Sequence, residues 1–217
     1  MNEAVSVVLV DDHTLVRDML HERLTREGIE VVGLAASGEQ AVELASAARP
    51  DVVVLDIDMP GLSAFEAARA VRKASPETRV IFLSAFVHDR YIDQALGAEA
   101  SGYLTKSESP EAIVKAIRKV HGGAMSYSLA VLDRIVVDKG GARLANGSKS
   151  KSRTLTEREW EVLGYVAKGM PQKQVARLMG VSVKTVQHHV MHLMEKLEIH
   201  DRVELAHYAI REGLIEA

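Results

Sequence analysis

The chain of 217 residues is 47% hydrophobic and 26% charged, and it contains no cysteine. This composition excludes wholesale disorder, disulfide bonds, iron–sulfur clusters, thiolate zinc sites and a cysteine nucleophile. The net charge of −3 combines −6 over residues 1–122, where 19 Asp and Glu oppose 13 Lys and Arg, with +3 over residues 123–217, where 11 oppose 14. Such an asymmetry indicates two domains with different partners.

No apolar run in the sequence approaches the roughly 18 residues that a membrane-spanning helix requires. The first apolar stretch, Val5–Val10, is short, follows no basic segment and ends at Asp11, so it is unlike a signal peptide. We therefore expect a soluble protein of the cytoplasm that is not bound to a membrane.

The first 122 residues alternate between predicted strands and helices. The strands are predicted at Val5–Val10, Val31–Ala35, Asp51–Asp56, Arg79–Leu83 and Ser101–Leu104. Because these runs are apolar on nearly every residue, they favour strands that are buried on both faces, as in a parallel sheet. Apolar residues recur at helical spacing between them, for example from Leu15 to Leu24 and from Ile113 to Val120. Residues 1–122 are therefore predicted to form an α/β domain with a doubly wound, five-stranded parallel sheet.

Residues 123–152 are predicted to form a linker. Two glycine pairs, Gly122-Gly123 and Gly140-Gly141, and the polar run Asn146–Ser152 are typical of connecting segments. A short helix is expected within Leu129–Val137.

Residues 153–217 are predicted to form a small all-α domain of four helices. Thr156 and Glu159 match a capping box, and Leu155 and Trp160 match a hydrophobic staple, for a first helix that runs to about Lys168. The other helices are predicted over Pro171–Met179, from Ser182 to Leu197, and from Asp201 to near Gly213.

Charged and polar side chains follow the carboxyl ends of the predicted strands. Asp11 and Asp12 close the first strand, and Asp56 closes the third. Ser84 closes the fourth strand and Lys106 follows the fifth. Because these strand ends form the functional edge of a doubly wound sheet, we expect the side chains to converge there. Two carboxylates about 4 Å apart repel by roughly 4 kcal/mol at an effective dielectric constant near 20, so the cluster requires a cation.

Lys106 supplies one positive charge, and oxygen ligands of this kind suit Mg²⁺. Aspartate is a competent acceptor of a phosphoryl group, whose spreading charge a metal ion, a lysine and a hydroxyl would neutralise. The pattern therefore favours phosphoryl transfer to a carboxylate.

These residues resemble the receiver (CheY-like) domain of two-component response regulators over about residues 4–122. The matching motifs are Asp11-Asp12, Asp56 before Met59-Pro60-Gly61, Ser84-Ala85, and Tyr103-Leu104-Thr105-Lys106. The resemblance implies that Asp56 is the phosphoacceptor. It also implies that Mg²⁺ is held by Asp11, Asp12, Asp56 and the backbone carbonyl of Asp58.

By the same resemblance, Lys106 binds the phosphoryl group, and Ser84 and Tyr103 form the switch pair that reorients after phosphorylation. One departure is Ser107, because many receivers have a cis proline after the lysine. A cis bond before a residue other than proline costs roughly 2.5–4 kcal/mol, so we expect a trans bond here.

The second and third helices of the C-terminal domain have the spacing of a helix-turn-helix, with the turn at Gly180. One face of the third helix carries apolar residues that predict its core side: Val186, Val190, Leu193 and Leu197. The opposite face is predicted to enter the major groove of double-stranded DNA. The candidate contact residues are Lys184, Thr185, Gln187, His188, Met191 and His192. Gln187 can pair with adenine, and Lys184 with a phosphate or guanine.

Residues 153–214 resemble the LuxR/NarL-type DNA-binding domain. The matching motifs include Leu155-Thr156-Glu157-Arg158-Glu159, Gly180-Val181-Ser182 and Lys184-Thr185-Val186. That family often has a basic residue at the position of Gln187, a polar or basic residue near Met191 and a small polar residue at Pro171. These departures predict weaker attraction to phosphates or a different operator.

The resemblance further implies a homodimer, formed through the last helix, Val203–Arg211, or through the receiver helix near Ile92–Leu96. His188, His189 and His192 also allow a metal site, but the segment lacks the further ligands of a closed site. Roles in the groove or in solvent are therefore favoured for His188 and His192, whereas His189 matches a position of that family that packs against the domain.

Together, the two resemblances predict a DNA-binding response regulator that controls transcription after a sensor histidine kinase phosphorylates Asp56. The protein is then not an enzyme, apart from slow self-dephosphorylation. One alternative is a regulator that acts mainly through protein–protein contacts, with weak DNA reading, because Gln187 and Met191 are not basic. The other is a phosphatase with an aspartyl-phosphate intermediate, because Asp56-Ile57-Asp58 resembles an Asp-x-Asp motif.

Overall fold

The computed structural model describes residues 4–59, 61–138, 141–145 and 155–211. They form two compact units. The first contains residues 4–87 and 91–145, and the second contains the helices that follow residue 155. Among the described residues there is no helix whose length and apolar content would let it cross a lipid bilayer.

A parallel sheet forms the centre of the first unit. Its strands are β1 (Ser6–Val10), β2 (Glu30–Ala35), β3 (Val52–Asp56), β4 (Arg79–Ser84), β5 (Gly102–Thr105) and β6 (Ser126–Tyr127). Their order in the sheet is β2-β1-β3-β4-β5-β6, and every neighbouring pair is parallel. The predicted α/β class is confirmed, and the sheet has one strand, β6, beyond the five that were predicted.

The strands are connected by α1 (Thr14–Arg26), α2 (Gly38–Ala48), α3 (Ala64–Ala74), α4 (Asp89–Gly97) and α5 (Pro110–His121). Helices cover both faces of the sheet, so alternate residues of a strand enter different clusters of buried side chains. In β3, Val53 belongs to the cluster that contains Phe65 of α3, whereas Val54 belongs to the cluster that contains Ile117 of α5. All five residues of β3 are buried, and its last residue, Asp56, therefore lies inside the edge of the sheet.

The structure differs from the linker predicted over residues 123–152. After β6, the chain forms the one-turn helix α6 (Leu129–Leu132) and an antiparallel hairpin of β7 (Ile135–Asp138) and β8 (Gly141–Leu144). Val131, Ile135 and Leu144 are buried in the core of the first unit, so this segment is part of the α/β domain. The strand β6 can approach because Gly102 has no Cβ, which would lie 2.6 Å from the carbonyl oxygen of Ser126. Residues 146–152 of the predicted linker lie outside the described residues.

The second unit has the predicted helices: α7 (Glu157–Ala167), α8 (Gln172–Met179), α9 (Val183–Leu197) and α10 (Arg202–Arg211). Thr156 and Glu159 form the predicted capping box at the start of α7. Gly180 ends α8 with a φ of 65°, a left-handed conformation that glycine adopts without steric penalty. The predicted end of the last helix near Gly213 lies outside the described residues.

An ion pair joins α7 to α9. Glu159 is 3% exposed, and Lys196 Nζ donates to its two carboxylate oxygens at 2.9 and 2.7 Å. Burial opposes ionisation of Glu159, but the hydrogen bonds from Lys196 and Thr156 outweigh it and hold the pKa of Glu159 below its ordinary value. The pair helps to hold the apolar face of α9 against the domain, and this leaves the opposite face to solvent.

Candidate functional site

The strand-end carboxylates meet at one edge of the sheet. β1 and β3 are parallel neighbours with Val10 opposite Leu55. Asp11, which follows β1, therefore lies beside Asp56 at the end of β3. Both side chains are buried, since Asp11 is 3% and Asp56 is 1% exposed, whereas the Asp12 side chain is 32% exposed. The convergence expected of these three carboxylates is present.

Lys106 lies between the two buried carboxylates. Its Nζ atom is 2.8 Å from Asp11 Oδ2 and 2.9 Å from Asp56 Oδ2. Its backbone N–H donates to the carbonyl oxygen of Ser84 at 2.7 Å, which fixes the residue to the end of β4. The following peptide bond, to Ser107, is trans, as predicted.

One ammonium group does not balance the charge of this site. Burial raises the pKa of Asp56, and the charge of Asp11 adds to this effect, although Lys106 acts against both. Burial alone would lower the pKa of Lys106, but the carboxylates of Asp11 and Asp56 raise it overall. Apart from this ammonium, the Oδ2 atoms of Asp11 and Asp56 have no hydrogen-bond donor among the described residues. The excess negative charge and the unpartnered oxygens fit a divalent cation with oxygen ligands.

His13 joins this cluster, although it was not among the predicted site residues. Its Nδ1 atom lies 2.7 Å from Asp12 Oδ1 and 3.2 Å from Asp11 Oδ1. Possible ligand atoms of Asp11, Asp12, His13 and Asp56 all lie within 4.8 Å of one another. The position of His13 directly after two aspartates was the signal that could have identified it. The Asp58 carboxylate is not in this group, and the role of the Asp58 carbonyl stays a prediction.

Ser84 and Tyr103 are buried side chains from neighbouring strands, 0% and 1% exposed. Ser84 Oγ accepts a hydrogen bond from the Phe86 N–H at 3.1 Å, and the Tyr103 hydroxyl donates to the Phe86 carbonyl oxygen at 2.8 Å. Burial raises the pKa of Tyr103, so the hydroxyl keeps its proton and remains a donor. The backbone of Phe86 thus connects the two residues that were predicted to act as a pair.

The helix α9 has the two faces that its sequence predicts. The core face is confirmed, because Val186, Val190, Leu193 and Leu197 are buried. Of the candidate DNA-contact residues, Lys184, Gln187, His188 and Met191 are exposed, whereas Thr185 and His192 are half-buried. The hydroxyl of Ser182 caps the helix by accepting from the Thr185 N–H at 3.0 Å.

Two side-chain contacts order the exposed face of α9. Gln187 Nε2 donates to Oε1 of Gln172, the first residue of α8, at 3.3 Å. The rings of His188 and His192 lie with their centroids 4.1 Å apart. Within the described part of the chain, neither histidine belongs to a group of three or more metal-ligating side chains.

The fold and these two sites define a signalling protein with a receiver-like α/β domain and a helix-turn-helix domain. Residues 7–118 match the family model of the response regulator receiver domain. Residues 153–209 match the model of the bacterial regulatory proteins of the luxR family.

Several response regulators are similar to this chain. The response regulator protein VraR of Staphylococcus epidermidis is 33% identical over 217 residues, which cover 98% of this chain and 100% of VraR. The receiver domain of the response regulator NarL from Mycobacterium tuberculosis is 39% identical with a TM-score of 0.54, and covers 56% of this chain and 98% of that one. The response regulator ChrA of a haem-sensing two-component system is 28% identical with a TM-score of 0.53, and the match covers 98% of this chain and 99% of ChrA.

The chain therefore belongs to the response regulators that combine a receiver domain with a LuxR-type DNA-binding domain. It is a DNA-binding regulator of transcription in a two-component system, controlled by phosphorylation from a sensor histidine kinase.

Proposed function

We propose that Asp56 is the residue that accepts the phosphoryl group. The supporting observation is its position at the end of β3, with Asp11 after the neighbouring β1, Ser84 at the end of the neighbouring β4 and the Lys106 ammonium 2.9 Å away. A phosphoryl group on Asp56 could be reached by the Lys106 ammonium and the Ser84 hydroxyl, while Asp11 and Asp12 would hold a metal ion.

In the proposed reaction, a carboxylate oxygen of Asp56 attacks the phosphorus of a phosphohistidine on the sensor kinase. The new O–P bond forms as the P–N bond breaks, and the imidazole leaves with the electron pair of that bond and takes up a proton. Lys106 balances the negative charge on the phosphoryl oxygens, and Ser84 donates a hydrogen bond to one of them. Mg²⁺, which we propose as the cation, would neutralise further charge on the same oxygens when bound by Asp11, Asp12 and Asp56.

The switch follows from the hydrogen bonds around Phe86. If the Ser84 hydroxyl turns to the phosphoryl group, the hydrogen bond that it accepts from the Phe86 N–H at 3.1 Å changes. The loop that carries Phe86 then has to move, and with it the Tyr103 hydroxyl that donates to the Phe86 carbonyl. A local change of charge, about −1.5 to −2 for a phosphoryl group, thus becomes a change of surface shape.

The output is proposed to be double-stranded DNA read by α9, with Lys184, Thr185, Gln187, His188, Met191 and His192 facing the major groove. Readers of this kind bind paired half-sites, and we propose a homodimer through α10, where Val203 is 66% exposed. The receiver helix α4 is less suited, because Ile92 is 1% exposed and packs in the core. Access to chromosomal DNA requires a cytoplasmic location.

Gel shifts with DNA from upstream of the protein's own gene test this function. Wild-type protein treated with acetyl phosphate and Mg²⁺ should bind more tightly than untreated protein, and Asp56→Asn should not respond. Asp18→Asn, a change at an exposed aspartate of α1, should respond like wild type. If neither the treated nor the untreated wild-type protein binds this DNA, the result would favour a regulator that acts through protein contacts. Sustained release of phosphate from phosphate esters, over many turnovers, would favour the phosphatase and refute the proposal that the protein is only an acceptor.

A further inference from the structure

Two glutamines from different helices are joined on the exposed side of the helix-turn-helix. Gln172 begins α8, and Gln187 lies in the second turn of α9. Gln187 Nε2 donates to Gln172 Oε1 at 3.3 Å, although the residues are 15 positions apart. Both line one open groove of about 800 Å³ together with Met191, so a ligand can approach the pair from solvent.

A glutamine amide has two N–H donors and one carbonyl acceptor. In this pair, Gln172 accepts one N–H of Gln187, and the other N–H and the carbonyl oxygen of Gln187 have no hydrogen-bond partner among the described residues. In the major groove, adenine presents an acceptor at N7 and a donor at N6, and a glutamine amide can bind both at once. The free groups of Gln187 therefore match adenine. With its amide reversed, Gln187 would offer two N–H donors, which suit the two acceptors of guanine.

The side chain at position 187 and the next one along the same face of α9 also favour adenine, whereas Lys184 stays the candidate for a phosphate or guanine. Guanine is most often read by arginine or lysine, and neither Gln187 nor Met191, one turn further along α9, supplies a cation. Met191 is 57% exposed and offers an apolar surface, which suits the methyl group of thymine.

We propose that Gln172 is a positioning residue that orients the Gln187 amide so that Gln187 reads an adenine in each half-site. This inference rests on the proposed DNA-binding function. It adds that the base read by Gln187 is adenine and that Gln172 orients the Gln187 amide. Without Gln172, Gln187 can still reach the base, but its amide must be ordered at the moment of binding.

The test is selection of binding sites from a random double-stranded DNA library by the full-length protein, with and without acetyl phosphate and Mg²⁺. Wild type should enrich one adenine position in each half-site, preferred over other bases by about 5- to 150-fold. Gln187→Ala should abolish the preference at that position alone. Gln172→Ala should reduce it about 2- to 10-fold, and the double variant should equal Gln187→Ala.

Two further variants separate orientation from charge and from folding. Gln172→Glu keeps an acceptor for Gln187 Nε2, so it should retain the adenine preference while it weakens binding to all sites through repulsion from phosphates. Gln174→Ala, at an exposed glutamine of the same helix, should bind like wild type. All variants should keep the thermal unfolding midpoint of wild type.

The inference would be overturned if the base selected through Gln187 were guanine, or if Gln172→Ala left the adenine preference unchanged. Independent effects of the two substitutions in the double variant would overturn it as well. Those results would leave the DNA-binding function intact. A library from which no sequence is enriched under either condition would contradict the proposed function itself, and the inference with it.

Discussion

Replacing Asp56 with asparagine should make the metal-free receiver domain more stable, although it removes one partner of Lys106. The Asp56 side chain is 1% exposed, so its ionised form has lost nearly all of its hydration. Burial and the charge of Asp11 raise the pKa of Asp56, and they outweigh Lys106, which lowers it. A carboxylate with a raised pKa in the folded state is one whose ionisation opposes folding.

The size of this change in stability follows from one favourable contribution, the attraction to Lys106, and two unfavourable ones, the repulsion by Asp11 and the loss of hydration. At an effective dielectric constant near 20, Lys106 at 2.9 Å attracts the Asp56 carboxylate by about 6 kcal/mol. Asp11, with ligand atoms within 4.8 Å, repels it by at least about 3.5 kcal/mol. Dehydration of a buried ion costs several kcal/mol. The net effect opposes folding by about 1–2 kcal/mol, which Asp56→Asn should recover, and this corresponds to a rise of about 3–6 °C in the unfolding midpoint for a domain of this size.

The measurement is scanning calorimetry of the full-length protein in EDTA, combined with Trp160 emission. Trp160 is the sole tryptophan of the chain and is buried in the core of the helical unit, so its emission identifies the transition of that unit. The other transition belongs to the receiver. As the pH falls through the folded-state pKa of Asp56, wild type becomes protonated and regains stability, so the difference between the two proteins should shrink on acidification.

Asp51→Asn is a matched control with the opposite expected sign. Asp51 precedes β3, and its Oδ2 atom accepts from the N–H and hydroxyl of Ser6 at 2.8 and 2.7 Å. Burial acts to raise the pKa of Asp51, but these hydrogen bonds and nearby positive charges lower it overall. Its replacement should therefore destabilise the receiver by about 1 kcal/mol. Loss of stability in Asp56→Asn, or the same direction of change in both variants, would refute the electrostatic reasoning.

Other substitutions test the packing of each unit. Lys196→Met should destabilise the helical unit by about 2 kcal/mol, because it leaves the buried Glu159 carboxylate without its cation; urea unfolding followed by Trp160 emission measures this, and a change below about 0.5 kcal/mol would contradict it. Since the pKa of Glu159 is lowered in the folded state, the stabilisation by this pair is present above the unfolded-state pKa and should disappear as the pH falls through the folded-state pKa. Gly102→Ala should destabilise the receiver by about 2–3 kcal/mol in calorimetry, because its Cβ would lie 2.6 Å from a backbone oxygen. Gly97→Ala, whose Cβ would meet no atom within 4 Å, should be neutral or stabilising, and equal losses in the two variants would remove the steric explanation.

The strands and helices of the receiver could be predicted because their signals are local. Every residue of β3 is buried, and the unbroken apolar run from Val52 to Leu55 predicts this burial. The segment over 123–145 could not be predicted, since β6 has only two residues and β7 and β8 have four each. Their pairing depends on a distant strand edge, and Gly102, where a close backbone approach occurs, was its one sequence signal.

The candidate sites were predictable to the same extent. The carboxyl ends of parallel strands share an edge, so Asp11 and Asp56 could be expected to meet there. His13 was missed, because the direction of its ring depends on the loop that follows β1. The contact between Gln172 and Gln187 was missed as well, because it joins two helices through the geometry of their turn. By contrast, the buried and exposed faces of α9 follow from the helical period alone.

Phosphorylation of Asp56 is tested by locating the phosphoryl group on the protein. Full-length protein is incubated with acetyl phosphate and Mg²⁺, and intact-mass and peptide mass spectrometry then give the number and the position of added groups. We expect one phosphoryl group on Asp56, with none added in Asp56→Asn or in EDTA. A phosphoryl group on another residue, or equal labelling of Asp56→Asn, would contradict it.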